Sequence, residues 1–588
     1  MKFAQLAIFL EKLERTNPRN DITRILAELF KEAGAEEIDK ICYLSLGELL
    51  PRFRGVDFQL AEKMMIRILA EASKESPEKI KKLYKEKGDL GNVAAALAKE
   101  GGSQSLSVAR VYDRLMEIAE EGGVKSQERK IVKMAKLLTD LDTLSAKYVA
   151  RIPVGKLRLG FSDATILDAL SVMERGDKSA RKEIERAFNI TADIGAIAKK
   201  VKSGGLKALA KIEAQPGIPI RPSLAERVPS AKEIIEKLGP KVAVEPKFDG
   251  FRTEIHVWFE KGKKQIMLFS RNLENTTNMF PEIVEGAEKL KAKSVILDGE
   301  AIGYNPKTGK FMLFQETVQR KRKYGIDEMA KKIPLTVFVF DILYLNGKSF
   351  LEAPFTERRK ILEKVFAGYR GKSLQLADQQ YTDDPEVIVR ELKKALARGF
   401  EGLVVKNPLL PYEAGARGFH WAKLKAGAAA LAGARAGQKI LLDTVDCVVM
   451  GAYRGRGKRA SFGVGGFLLG VRDKDGRFYT ISRLGTGISD EQFKEANKKI
   501  GKLTVKEMPK EYVVGKDEVL DVWIRPMLVA EVISDEITLS PRHTAGKKEE
   551  RGYSLRFPRL VRFRDDKNPE DATMVKEIEK MYLVQKHK

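Results

Sequence analysis

The chain of 588 residues is long enough for roughly three or four domains, and its 43% hydrophobic content excludes a broadly disordered protein. Lys and Arg number 107 against 82 Asp and Glu, a formal net charge of +25, so the surface carries a positive excess that attracts polyanions, with nucleic acid the first candidate. The two cysteines, Cys42 and Cys447, exclude a disulfide framework and a cysteine-based zinc module, and they favour a reducing compartment.

The N-terminus does not fit a targeting segment. Glu11 and Lys12 interrupt the first apolar stretch, and no small-residue cleavage site follows. No apolar run reaches the ~18 residues expected of a membrane span. We therefore expect a cytoplasmic, prokaryotic protein without a membrane partner. Charged residues make up 32% of the chain, which fits either a thermophile's ion-pair-rich surface or any basic nucleic-acid-binding protein.

The first part of the chain carries the periodicity of helices. An apolar run that begins at Phe3 recurs at helical spacing, and Asp21 is placed to cap a second run that Gly34 closes. Lys- and Arg-rich helical segments continue to about residue 210. The Pro-rich stretch QPGIPIRPS, Gln215–Ser223, then predicts a domain boundary.

The remainder of the chain contains short β-rich runs. Ile255 and Val257 alternate with Glu254 and His256, and the runs SVILDG, LTVFVFDILYL and EGLVVK predict further strands between polar loops. This pattern indicates a mixed α and β region. After Lys425, an Ala- and Gly-rich stretch is followed by VDCVVMGAY, GFLLGV and FYTISRLG, which predict a small β-barrel or sandwich.

The segment EPKFDG, Glu245–Gly250, is the most informative for chemistry. Lys247 lies between the carboxylates of Glu245 and Asp249, and Gly250 can turn the chain after it. A lysine ammonium, with a pKa of about 10.4, is unreactive unless it is desolvated or lies beside other cations. Taken alone, the hexapeptide favours an ordinary surface turn, but the segments that follow change this interpretation.

Carboxylates and lysines recur at the later β-rich runs. Glu300 closes the run LDGE and Glu401 opens EGLVVK, and these hard oxygen ligands could converge on Mg²⁺ beside a nucleotide. Lys423 and Lys425 lie two residues apart, so on a strand they share a face and could contact one phosphate.

In this order, the segments resemble the motifs of the covalent nucleotidyltransferases, and specifically of the ATP-dependent DNA ligases of the archaeal and eukaryotic replicative type. The resembling segments are EPKFDGFR (motif I), FSRNLENTTN (Ia), LDGE (III), VFVFDILYLNG (IIIa), EGLVVK (IV), FHWAKLK (V) and RFPRLVRFRDDK (VI). A further segment, KLRLGFSDA from Lys156, is similar to part of the helical DNA-binding domain of that family. The resemblance therefore covers nearly the whole chain.

The resemblance implies a multidomain fold. It implies an all-α DNA-binding domain over residues 1–215, an α+β nucleotidyltransferase (ATP-grasp-like) domain over 216–426 and a C-terminal OB-fold β-barrel over 427–588. The implied cofactors are ATP and Mg²⁺, with Mn²⁺ as the alternative metal, and the implied partner is nicked double-stranded DNA. We expect a monomer. A sliding clamp is a further candidate partner, although the sequence carries no recognisable clamp-binding peptide.

The implied activity is nick sealing through a lysyl-AMP intermediate and an adenylated 5′-phosphate, in DNA replication, repair and recombination. Lys247 would take AMP, and Asp249 would act in later steps. The residues implied to bind the nucleotide are Glu245 at adenine, Arg252 at the ribose, Phe340 stacked on the base, Arg271, Lys423 and Lys425 at phosphates, and Arg564, Asp566 and Lys567 on the pyrophosphate. Glu300 and Arg417 are also implied to bind the nucleotide. The implied metal ligands are Glu300 and Glu401, and the implied DNA contacts are Lys156, Arg158 and Arg271.

Several alternatives stay open at this point. An RNA ligase or an mRNA-capping-type nucleotidyltransferase is disfavoured by the long helical N-terminal region, and an NAD-dependent ligase by the two cysteines. A catalytically silent DNA-binding scaffold is disfavoured by the intact motif residues. For single residues, Phe340 could belong to the core, Arg271 could be a surface ion-pair partner, and Asp298 is as readily structural as functional.

Overall fold

The computed structural model describes most of the chain and divides it into two compact units, Met1–Ala426 and Gly427–Lys588. The described residues are 1–98, 102–155, 157, 159–228, 230–312, 314–322, 324–415, 417–425, 444–455, 463–485, 488, 490–501, 503–515, 518–534 and 536–586.

The larger unit begins with a region of helices only, as the periodicity predicts. Within the described part of this region the α-helices are α1 Phe3–Glu14, α2 Arg19–Glu32, α3 Ile38–Leu46, α4 Glu62–Ser73, α5 Pro77–Lys87, α6 Leu90–Leu97, α7 Val108–Glu120, α8 Ser126–Thr139, α9 Thr143–Arg151, α10 Asp163–Arg175, α11 Arg181–Thr191 and α12 Ile194–Gly204. Most of them bury an apolar stripe; in α7, for example, Val108, Val111 and Leu115 are buried. Among the described residues, no helix is both long and apolar enough to cross a membrane.

The start of helix α2 differs from the one predicted from the sequence. The helix begins at Arg19, with Pro18 in the capping position, so Asp21 does not cap it. Asp21 lies in the first turn instead, where its negative charge faces the positive end of the helix dipole and pairs with Arg24. A proline suits the start of a helix because its φ angle is already fixed near the helical value.

Two β-sheets follow in the same unit. The five-stranded sheet has the order β1-β11-β10-β2-β9, and the six-stranded sheet has the order β4-β3-β5-β6-β7 with β8 beside β6. The strands are β1 Leu224–Arg227, β2 Val242–Lys247, β3 Phe251–Glu260, β4 Lys263–Ser270, β5 Val295–Gly303, β6 Leu335–Leu345, β7 Lys348–Ser349, β8 Leu374–Leu376, β9 Gln380–Thr382, β10 Gly402–Lys406 and β11 Arg417–Lys425. The helices among them are α13 Ala231–Leu238, α14 Pro281–Glu288, α15 Phe314–Thr317, α16 Ile326–Lys332, α17 Phe355–Ala367 and α18 Pro385–Ala397.

The Pro-rich segment, residues 215–223, is packed against strand β3 of the six-stranded sheet. The backbone N–H of Gly217 donates to Nδ1 of His256 at 3.0 Å, and that of Ile220 donates to Glu254 at 3.0 Å. Glu254 and His256 are therefore buried, although they alternate with apolar residues along β3. The hydrophobic core of the helical region also includes residues of the six-stranded sheet, among them Ile296.

The C-terminal unit is rich in β-structure. Its described elements are β12 Val445–Arg454, β13 Val464–Arg472, β14 Phe478–Leu484, α19 Asp490–Ile500, β15 Thr504–Val505, β16 Tyr512–Val513, β17 Val522–Ile524, β18 Val529–Ile533, β19 Glu536–Ser540, β20 Gly552–Arg556, β21 Arg559–Phe563 and α20 Val575–Lys586. The main sheet has the order β15-β17-β12-β13-β14-β16, and β18 joins β12 to β21. This is a half-barrel sheet. Among the described residues no pairing joins its β15 and β16 edges, so the closed OB-fold barrel stays a prediction.

Candidate active site

Strand pairing brings the motif residues of distant segments onto one face of the five-stranded sheet. In the antiparallel order β2-β10-β11, Glu245 pairs with Val404, and Val404 pairs with Lys423. The flanking rows join Lys247 to Gly402 and Lys406 to Trp421. Residues opposite each other, and residues two apart along a strand, share a face of the sheet. The side chains of Glu245, Lys247, Lys406 and Lys423 therefore lie on the same face.

The turn after β2 carries the chain from one sheet to the other. Phe248 is buried and stacks on Phe338, with ring centroids 4.4 Å apart and planes 12° from parallel. Gly250 passes so close to β5 that a Cβ atom there would lie 2.1 Å from the carbonyl oxygen of Ala301. The close approach requires a glycine, and it places Lys247 at the junction of the two sheets.

Lys247 contacts one of the two carboxylates predicted to hold a metal, and its charge acts on the other. Its Nζ contacts Oε2 of Glu401, and its backbone carbonyl accepts a hydrogen bond from the Glu401 N–H at 2.9 Å. Glu300 lies opposite Arg252 in the second sheet. Burial raises the pKa of Glu300 to about 7, while the positive charges of Lys247 and Arg252 oppose that rise. The site thus brings together Lys247, Glu300 and Glu401.

Two carboxylates are a suitable but incomplete protein ligand set for a divalent cation. No group of three or more His, Cys, Asp or Glu side chains that could hold a metal occurs within the described residues. Mg²⁺ is commonly held by one or two carboxylates together with substrate phosphates and water. The pair Glu300 and Glu401 fits that arrangement.

Glu245 and Lys406 form a buried ion pair next to Lys247 on the same face. Lys406 Nζ lies 2.8 Å from Oε2 of Glu245, and the two residues are 0% and 2% exposed, respectively. The Lys406 ammonium also donates to the carbonyl oxygen of Phe340 at 3.2 Å. Burial raises the pKa of Glu245, and the charge of Lys406 opposes that rise. Among the described residues, the second oxygen of Glu245, Oε1, has no hydrogen-bond partner.

Phe340 lies at an irregularity in β6. Its neighbours Val339 and Asp341 pair with the consecutive residues Gly299 and Asp298 of β5, so Phe340 bulges out of the ladder. The ring is half-buried, and it packs edge-on against the ring of Trp421, with the two ring centroids 6.0 Å apart. Phe340 therefore packs at the edge of the core and also keeps part of its surface open.

Arg252 is held by a buried network that the sequence did not reveal. Its guanidinium makes two hydrogen bonds of 2.5 Å to the Asp298 carboxylate, and it donates to the Tyr412 hydroxyl at 2.9 Å. The Tyr412 hydroxyl in turn donates to Asp298 at 3.0 Å. Asp298 is fully buried, so removing either member of the ion pair would leave an unpaired buried charge at a cost of about 3–5 kcal/mol. Asp298 thus positions Arg252.

The remaining predicted residues of this unit either lie farther from Lys247 or fall outside the described residues. Asp249 accepts a hydrogen bond from the Phe314 N–H at 3.3 Å. Arg271 is exposed and, with Arg52 and Arg221, lines a cavity of about 370 Å³ between the helices and the strands. Arg417 and Lys425 belong to β11, but their side chains lie outside the described residues, as do Lys156 and Arg158 entirely.

The motif VI cations of the C-terminal unit are paired with carboxylates. Arg564 makes two hydrogen bonds, of 2.8 and 2.7 Å, to Asp566, and its Nη1 lies 3.6 Å from both Asp446 and Glu531. Lys567 Nζ lies 2.6 Å from Asp446. Asp446 and Glu531 pair across β12 and β18, so the strand register brings them together. Neither residue was identified from the sequence, because an isolated acid in a strand has no motif.

Comparisons with known proteins match this chain to DNA ligases along its whole length. The family model for the ATP dependent DNA ligase domain matches residues 222–425, the model for the DNA ligase N terminus matches 2–171, and the model for the ATP dependent DNA ligase C terminal region matches 460–567. The chain is 44% identical over 592 residues to a probable DNA ligase of Dictyoglomus turgidum, covering 100% of this chain and 98% of the relative. It is 40% identical over 605 residues to a DNA ligase of Acidianus ambivalens, with the same coverage.

A solved structure described as Pmar-Lig_PreS3 resembles the fold. The match covers 95% of this chain and 99% of that chain, with a TM-score of 0.53 and 19% sequence identity. At this identity the likeness concerns the fold alone.

The close approach at Gly250 gives a direct test of the junction. In Gly250→Ala, the new Cβ would clash with backbone, so we expect a loss of about 1–3 kcal/mol in the free energy of unfolding and a lower thermal midpoint. The matched control is Gly368→Ala, because a Cβ there meets nothing within 4 Å. Equal thermal midpoints for the two variants would contradict the proposed geometry of the turn.

Proposed function

Because the chain belongs to the ATP-dependent DNA ligase family, we propose that Lys247 is the nucleophile that takes AMP from ATP and so begins nick sealing. The observation that carries this proposal is the position of Lys247 at the junction of the two sheets, in contact with Glu401 and near enough to Glu300 for its charge to oppose the rise in the pKa of that carboxyl. The family resemblance of the segment around Lys247 supports the same role.

In the first step, the neutral amine of Lys247 attacks the α-phosphorus of ATP. An N–P bond forms, the bond to the β-phosphate oxygen breaks, and pyrophosphate leaves with the electron pair. The ammonium must lose its proton first, and neighbouring cations favour the neutral amine. Lys423 is the cation proposed for this part, since it lies on the same face of the sheet as Lys247, with β10 between their two strands.

The nucleotide would lie along the face formed by β2, β10 and β11. Glu245 would meet adenine, Phe340 would stack on the base, and Arg252 would approach the ribose. The network of Asp298 and Tyr412 supports this role for Arg252, because it fixes the guanidinium before any ligand binds. Polar groups that are already in position need little reorganisation when the substrate binds, so the free-energy cost of arranging them is small.

Glu300 and Glu401 would hold a divalent cation, with Mg²⁺ the first candidate. A cation there supplies positive charge against the phosphate oxygens and lowers the repulsion that opposes attack. Both carboxylates are positioned by backbone pairing: Glu300 lies opposite Arg252, and Glu401 hydrogen-bonds to the carbonyl of Lys247.

The two later steps act on DNA. AMP passes from Lys247 to the 5′-phosphate at a nick, and the 3′-hydroxyl then attacks that phosphate, forms the phosphodiester bond and releases AMP. Nick sealing needs no base sequence, so affinity comes mainly from phosphate contacts made by Lys and Arg. The net charge of +25 supports this mode of binding.

We further propose a division of labour among three domains, residues 1–215, 216–426 and 427–588. The helical domain and a C-terminal OB-fold domain would bind the duplex, and the middle domain would carry the chemistry. Motif VI would assist the first step alone, because pyrophosphate leaves only then.

Replacing Lys247 tests the nucleophile. In Lys247→Ala, transfer of label from α-labelled ATP to the protein should be lost, whereas sealing of a nick that already carries AMP should partly persist, since that step needs no lysyl adduct. The control is Lys241→Ala, an exposed lysine near the start of the same strand. Stable protein labelling in Lys247→Ala would defeat the assignment.

Replacing the motif VI cations separates the first step from the last. In the double variant Arg564→Ala with Lys567→Ala, protein labelling should fall by about 100-fold or more, the usual effect of losing a preorganised charge stabiliser. Sealing of pre-adenylated nicks should fall much less. The control is Lys548→Ala, whose exposed side chain pairs with Glu579 in the same unit. An equal loss of both activities would indicate a role in DNA binding or folding instead.

A further inference from the structure

A buried lysine with no role in the proposed chemistry lies beside the residue proposed to meet the base. Lys406 is 0% exposed, and its Nζ lies 4.3 Å from the ring centroid of Phe355, 4.5 Å from that of Trp421 and 4.9 Å from that of Phe340. Such a site is unfavourable for a cation unless a counter-charge is present. Glu245 supplies that charge at 2.8 Å.

The two oxygens of Glu245 are used differently. Oε2 accepts from Lys406, while Oε1 is buried without a hydrogen-bond partner among the described residues. A buried carboxylate oxygen left unsatisfied is destabilising, and a ligand group that donates to it would remove that cost. Oε2 already accepts from Lys406, so Oε1 is the oxygen whose acceptor sites are both unused by the described residues.

We infer that Lys406 is a positioning residue that sets nucleobase choice: it holds Glu245 as a carboxylate whose one free oxygen accepts a hydrogen bond from a purine 6-amino group. This inference rests on the proposed function, in which Glu245 faces the base of the nucleotide. Adenine presents a 6-amino donor, whereas guanine presents a 6-oxo acceptor. An ionised Glu245 therefore binds adenine and repels guanine, and a protonated Glu245 could donate to the guanine oxygen.

The charge of Glu245 depends on the groups that face it. Burial and Asp341 favour the neutral carboxyl, while Lys406 and Arg359 favour the carboxylate. Tyr381, from the neighbouring strand β9, also interacts with Glu245, and Lys247 and Lys423 lie on the same face of the sheet. As the pH falls through the pKa of Glu245, the preference for ATP over GTP should fall. Without Lys406 that pKa lies higher, so the same loss should occur at a higher pH.

The test compares adenylylation and guanylylation of the full-length protein. Initial rates of label transfer from ATP and from GTP are measured from mildly acidic to mildly alkaline pH for wild type, Lys406→Met, Lys406→Arg and Glu245→Gln. In Lys406→Met the ratio of kcat/KM for ATP to that for GTP should fall at least about tenfold at neutral pH, with its midpoint shifted to higher pH. Lys406→Arg should keep most of the preference, and Glu245→Gln should show a low ratio that does not change with pH.

The control is Arg320→Met, which removes another buried cation, one that makes hydrogen bonds of 2.7 and 2.9 Å to Glu282. This variant should alter stability without altering the ATP-to-GTP ratio. An unchanged ratio and pH midpoint in Lys406→Met would overturn the inference.

If Lys406→Met does not fold, the wild-type protein provides the test: a ratio of ATP to GTP use that is low at every pH, as in Glu245→Gln, would equally overturn the inference. Failure of wild type to accept label from either nucleotide would contradict the proposed nucleophile instead, so the two failures are distinguishable.

Discussion

The pairing of β2, β10 and β11 is the constraint on which the site depends. These strands come from segments far apart in the sequence, and their backbone hydrogen bonds fix Lys247 opposite Gly402 and Glu245 opposite Val404. Side chains alternate between the two faces of a strand, so a slip of one residue in β10 would turn Lys406 away from Glu245. The mixture of positive and negative groups on this face exists only in the observed register.

Charge pairing prepares the groups that would meet a highly charged substrate. Lys247 contacts Glu401, and Arg252 is held by Asp298 and Tyr412. In the C-terminal unit, Arg564 is likewise held by carboxylates. Each cation is thus fixed in place before a ligand binds, which reduces the reorganisation that catalysis requires.

The sequence predicted the parts that depend on local pattern. The helical first region, the mixed second region and the placement of Lys247 between a β-run and a glycine turn follow from periodicity and turn chemistry. Tyr412 could not be predicted, because its partners Arg252 and Asp298 are brought to it only by the fold. The alternation along β3 was misleading for Glu254, since the Pro-rich segment covers the polar side of the strand. A lysine inside the apolar run EGLVVK was the available signal for the buried Lys406 pair.

Peptide mapping by mass spectrometry tests the central claim most directly. The full-length protein would be incubated with ATP and Mg²⁺, digested under conditions that preserve a phosphoramidate, and sequenced by tandem fragmentation. We expect AMP on Lys247, within the peptide that contains EPKFDG. AMP on Lys423, on Lys406 or on any residue other than Lys247 would contradict the account, because the strand register would then have placed a different nucleophile at the α-phosphate.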